Sequence, residues 1–162
     1  MKAAWLSLAL LTATGAAFGT QASGESSLVE TAESGRTAAA IALLAQGTDV
    51  NAPSKDGTTA LMWAAHRDDR ALLEALLKAH ADVKAANRYG ATALSEAAGF
   101  GDVAVIKELL EAGADPDSAN ADGQTALMLV ARAGNVPAAE LLLHYGAHVN
   151  ATEQVRGQTA LH

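Results

Sequence analysis

The chain has 162 residues, of which 11 are basic and 18 acidic, a formal net charge of −7, no cysteine, and only two each of Trp, Tyr and Phe. An acidic chain without a basic stripe is a poor match for nucleic acid or an anionic membrane surface. The lack of cysteine excludes disulfides, thiolate metal sites and a lipoprotein anchor, so the fold must stand on packing alone.

At the start, Lys2 supplies a positive charge, Ala3 to Leu11 form an apolar run, and small residues follow through Gly15-Ala16-Ala17-Phe18-Gly19. This is the order of a secretory signal peptide. Residues 1–22 are therefore expected to be a leader and residues 23–162 the mature domain, either periplasmic or secreted. Cleavage fits after Gly19 or after Ala22. An uncut membrane anchor is the competing reading, but the run falls short of the roughly 20 residues that a spanning helix needs. Loss of the leader removes one positive charge, Lys2, which leaves 10 basic and 18 acidic residues.

Beyond the leader the chain repeats itself. Thr-Ala-Leu opens at Thr59, Thr92, Thr125 and Thr159, and one further step back falls on the degenerate Ser26-Ser27-Leu28. The step is 33, 33 and 34 residues, a period that marks one array of stacked units, not several globular domains. The units run over about 26–58, 59–91, 92–124 and 125–158, with an incomplete fifth from 159. In residues 59–91, Thr59 is expected to cap a first helix from Ala60 to about Arg67, with Leu61, Ala64 and Ala65 on its buried side. Asp68-Asp69 then breaks the chain. A second helix from about Arg70 to Ala79 carries Leu72, Leu73, Leu76 and Leu77 as a wide apolar stripe. The other copies fill that stripe with Ala39, Ala40, Leu43 and Leu44, with Val105, Ile106, Leu109 and Leu110, and with Ala138, Ala139, Leu142 and Leu143.

Gly47, Gly113 and Gly146 stand where the second helices must stop in a left-handed conformation. His80 holds that slot once, and strain is its expected consequence. Ser54-Lys55-Asp56-Gly57, Asn87-Arg88-Tyr89-Gly90 and Asn120-Ala121-Asp122-Gly123 have turn chemistry, and a row of hairpin tips is expected from them.

These residues resemble the ankyrin-repeat family, whose 33-residue unit is a β-turn plus two antiparallel helices. The matching pieces are Gly57-Thr58-Thr59-Ala60-Leu61, Gly90-Ala91-Thr92-Ala93-Leu94 and Gly123-Gln124-Thr125-Ala126-Leu127, together with Ala64-Ala65, Ala97-Ala98, Gly113-Ala114 and Gly146-Ala147. The likeness spans about residues 26–162. It implies an all-α ankyrin-repeat α-solenoid with short hairpin-like turns. The family's proline is Ala in every copy, and its histidine becomes Met62, Ser95 and Met128, returning only at His162. The first copy, with Glu30 and Glu33, looks like an N-terminal capping unit.

Catalytic chemistry finds little support. Gly99-Phe100-Gly101-Asp102-Val103-Ala104 fits a dinucleotide fingerprint, but it follows a helical run instead of a strand, and Gly101 shares the inter-helix slot of Gly35, Asp68 and Gly134. His144 and His148 are parted by Gly146, and His66 with Asp68 and Asp69 lacks a repeating or second-layer pattern. No catalytic residues, cofactor or metal are expected.

The slots that the repeat leaves free carry the functional expectation. Trp63, His66 and Arg67, then Glu96 and Phe100, then Leu129 and Arg132 should face the concave side of the stack, with Arg88 and Tyr89 on a tip beside them. Aromatics and Arg are common interface anchors, although Trp63 and Phe100 could equally pack between helices. The expected function is a non-catalytic, exported protein-binding module whose partner bears a basic or mixed-charge patch. The alternative is a scaffold segment of a larger enzyme or receptor continuing beyond residue 162. An uncapped last repeat also raises the expectation of self-association.

Overall fold

The computed structural model describes residues 26–151; the expected leader and the Thr159 copy lie outside them. Each first helix begins on a hydroxyl. Thr59, Thr92 and Thr125 sit in extended backbone and accept from the N–H groups of Met62, Ser95 and Met128, capping α3 (Ala60–His66), α5 (Ala93–Phe100) and α7 (Ala126–Arg132). Such a cap satisfies a backbone donor that the helix itself leaves open, worth about 1 kcal/mol. The degenerate copy differs by one residue. Ser27, not Ser26, caps α1 (Leu28–Glu33), because the Ser27 N–H donates to the Glu30 carboxylate and closes a capping box. Its buried residues Leu28, Val29, Thr31 and Ala32 still keep the 33-residue register with Leu61, Met62, Ala64 and Ala65.

The second helices are α2 (Thr37–Ala45), α4 (Arg70–Lys78), α6 (Val103–Glu111) and α8 (Val136–His144). Side chains of Asp69, Asp102 and Asn135 cap the last three. Helices α1, α3, α5 and α7 pack one on the next, α2 packs on α4 and α6 on α8, and each first helix packs on its own second helix. The result is two rows of helices around one apolar spine, in which Leu76, Leu109 and Leu142 are fully buried in the same cluster. Burying a leucine in this way contributes roughly 1.5–3 kcal/mol.

How much of the predicted stripe is buried depends on position in the stack. In α6, Val105, Ile106, Leu109 and Leu110 are all buried; in α4, Leu72, Leu73 and Leu76 are buried and Leu77 half-buried. At the two ends, only Ala40 of α2 and Ala138 and Leu142 of α8 are buried, while Ala39 and Leu143 are exposed. A helix pair has two faces to cover, and among the described residues an end pair has only one neighbour.

Antiparallel bridges Ala86–Thr92 and Ala119–Thr125 close two of the turns. Asn87 and Asn120 accept from backbone N–H groups inside these turns, as their sequence signature predicts. Successive turns are stitched by the main chain: the Arg88 N–H donates to the Asp56 carbonyl at 2.8 Å, and the Ala121 N–H to the Tyr89 carbonyl at 2.7 Å. The expected tips thus form a bonded row.

The helices of each repeat stop on a left-handed residue, and glycine holds those slots everywhere except in the second repeat. There Asp68 has φ of 54° and His80 of 62°. A Cβ in this conformation crowds the following carbonyl. His80→Gly is expected to stabilise the chain by about 1 kcal/mol and to raise Tm by roughly 4 °C; thermal unfolding followed by circular dichroism measures it, and an unchanged midpoint contradicts it. Asp68 carries a second cost. Shielding from water, and then the nearby Asp102 carboxylate, raise its pKa above the ordinary aspartate value of 3.8. Its ionisation at neutral pH therefore opposes folding, and that penalty disappears once the acid is protonated in both folded and unfolded chains. Asp68→Asn, which keeps a residue tolerant of positive φ, should raise stability at pH 7 and lose that gain below about pH 3.8.

Candidate functional site

Regular stacking brings side chains about 30 residues apart into contact. His66, at the end of α3, meets Glu96 of α5 with its Nδ1 2.8 Å from Oε2. An ionised carboxylate only accepts, so this pairing places the proton on Nδ1 and leaves Nε2 of a neutral ring as an acceptor. The imidazole also stands edge-to-face with Trp63 at 5.5 Å and with Phe100 at 5.0 Å. Four predicted residues therefore form a single cluster across two repeats.

Beside that cluster lies a cleft of about 210 Å³ between the second and third repeats. Met62 and Trp63 give it apolar walls, His66 and Glu96 a polar edge, and Asp56 and Asn87 of the turns its other side. The Asp56 carboxylate accepts from the Ser54 hydroxyl and from the Thr58 N–H at 3.1 Å. The Ser54 bond first, and then the bonds from Thr58, hold its pKa below the ordinary carboxylate range. Asn87 Nδ2 donates across the repeat boundary to Thr58 Oγ1 at 3.2 Å.

The remaining predicted residues divide. Tyr89 and Phe100 are 65% and 61% exposed, the most open aromatic side chains among the described residues. Trp63 does both of the things expected of it, packing against the spine while lining the cleft. Leu129 occupies the equivalent slot of the fourth repeat and is also half-buried against the spine. Arg67 turns away from the cleft: its Nη1 donates to the Glu33 carbonyl at the end of α1, 3.2 Å distant, where a cation is favourable. Arg88 is exposed on its tip, and Arg132 is exposed at the end of α7.

Asp56 and Asn87 were not singled out from the sequence, although a signal existed. Asp56 lies 33 residues before Tyr89 and so shares its tip slot. On the second helices, Arg70 pairs with Glu108 across the boundary between α4 and α6, and the pairing raises the Arg70 pKa.

The alternative chemistries are answered by position. Gly101 ends α5 with φ of 77°, and the Asp102 carboxylate accepts from the Ala104 and Val105 N–H groups at 2.7 and 3.1 Å. The start of α6 is thus filled by an acid, where a pyrophosphate would need free donors. His66, Asp68 and Asp69 are drawn apart: Asp69 caps α4 and accepts from Thr37 of the preceding repeat. His148 pairs with Asp117, whereas His144 stacks edge-on with Tyr145 at 5.6 Å. Among the described residues no helix is long and apolar enough to cross a membrane.

Paired helices in two rows, bonded turns and a spine of repeated leucines define an all-α repeat solenoid. The family model for ankyrin repeats (3 copies) matches the chain at residues 8–87, 28–120 and 94–162, and the chain belongs to the ankyrin-repeat family. The first of these stretches begins inside the segment read as a leader. Repeats of this family are in general protein–protein interaction modules and are in general non-catalytic. A search of curated proteins finds no significant match.

Proposed function

We propose that this chain is an exported protein-binding module that holds its partner on the face formed by its first helices and turn tips. The observation that carries this reading is the outward placement of Tyr89 on its turn tip and of Phe100 against the His66 ring of the His66–Glu96 pair. Large aromatic side chains left in water at a preorganised surface supply contact area at little conformational cost. Neighbouring repeats fix one another in place, which supports rigid presentation over induced folding. The excess of acidic over basic residues favours a partner with a basic or mixed-charge patch. Export rests on the order of residues 1–22.

A second reading, self-association, is favoured by one observation at the other end of the array. Leu127, Ala131, Val136, Ala139, Leu143 and Val149 line an open groove of about 240 Å³, with Leu143 43% exposed. A polar capping repeat fused after His162 should suppress any concentration-dependent mass seen by light scattering; a monomer at every concentration without that cap excludes this reading.

Recovered from outside the cytoplasm, the mature chain is expected to begin at Thr20 or Ser23 by N-terminal sequencing. In affinity capture, Tyr89→Ala and Phe100→Ala are each expected to lose about tenfold or more in partner affinity, the scale of an interface anchor. Their far-ultraviolet circular dichroism should stay at the parent level. Undiminished capture by both variants rules out this face.

A further inference from the structure

The cleft between the second and third repeats has a more specific character than the face around it. Its volume of about 210 Å³ is below the ~300–1,000 Å³ of sites that enclose a whole small molecule. It suits a single side chain. Asp56 and Glu96 bring two carboxylates to it, and among the described residues no lysine or arginine lines it.

Its polar edge carries two carboxylates and, among the described residues, no cation. Of its donors, His66 Nδ1 is committed to Glu96 and one hydrogen of Asn87 Nδ2 to Thr58 Oγ1. Arginines and lysines of the adjoining segments are not among its lining residues. Arg67 is engaged with the Glu33 carbonyl, Lys55 borders a different hollow with Glu30 and Glu33, and Arg88 is exposed on its tip. Trp63 shares the apolar wall with Met62, and an aromatic face attracts a cation laid against it.

We propose that the cleft receives an arginine side chain of the protein partner, with the guanidinium against Trp63 and its N–H donors shared by Asp56 and Glu96. The inference rests on the reading of this face as the binding face and adds the residue it recognises. A planar guanidinium carries five donors and stacks on aromatic rings, whereas a lysine ammonium is a compact charge that does neither as well. Two carboxylates beside an indole fit the first better than the second.

Selection of a displayed random peptide library on the full chain tests this. Affinities of the selected peptides are then measured against the parent, against Asp56→Asn/Glu96→Gln, and against Tyr89→Ala and Phe100→Ala. The selected peptides are expected to share one arginine. Its replacement by citrulline, a neutral isostere, should lose roughly tenfold or more on the parent and little on Asp56→Asn/Glu96→Gln. Both carboxamides keep an acceptor oxygen and the side-chain length; if the double variant does not melt cooperatively, the two single variants replace it. Peptides that need Tyr89 or Phe100 but share no arginine overturn the arginine cleft and leave the binding face standing. Full affinity on Arg→Lys replacement overturns the guanidinium assignment. Peptides indifferent to all these variants, or no selected peptide at all, overturn both readings. Net attraction to an acidic chain would survive the loss of two charges and is thereby told apart.

Discussion

Everything in this molecule depends on a helix pair that cannot bury its own apolar face. Leu76, Leu109 and Leu142 are fully buried in one cluster that runs through neighbouring pairs, so stability is shared between neighbours and not owned by any one repeat. The gradient of burial follows directly. Stripe positions are filled and sealed in α6 and progressively opened toward α2 and α8. Since no disulfide assists, the boundaries between repeats carry the fold.

The same translation that seals the spine also builds the face that carries the free slots. A residue in a free slot of one repeat meets the free slots of the next, about one repeat away in sequence. His66 reaches Glu96 in this way, as do Asn87 and Thr58. The turns obey the rule through backbone bonds alone, Arg88 to Asp56 and Ala121 to Tyr89. In place of the family's histidine, Met62 and Met128 are buried and Ser95 bonds within its own helix start. Among the described residues, main-chain bonds join successive turns.

The second repeat is where local rules are broken. Asp68 and His80 occupy left-handed slots given to glycine in the other repeats, and the Asp68 carboxylate sits near Asp102. That repeat also supplies Met62, Trp63, His66 and Asn87 to the cleft. Strained Asp68 and His80 thus lie in the repeat that supplies most of the cleft's lining.

The period, the caps, the left-handed stops and the spine were legible in the sequence because each is set by nearest-neighbour chemistry: a hydroxyl before a helix, a glycine after it, leucines on one stripe. The cap of the first helix was displaced by one residue because Glu30 closes its box with Ser27. What only the tertiary structure decided is which free slots work together. From spacing alone, Trp63, His66, Arg67, Glu96 and Phe100 were equivalent members of one face. The fold gathered Trp63, His66, Glu96 and Phe100 around a cleft, added Asp56 and Asn87 from the turns, and drew Arg67 back to the Glu33 carbonyl. Periodicity specifies a side chain's slot, but the choice between reaching forward to the next repeat and back to the last depends on distances that exist only once the repeats are stacked.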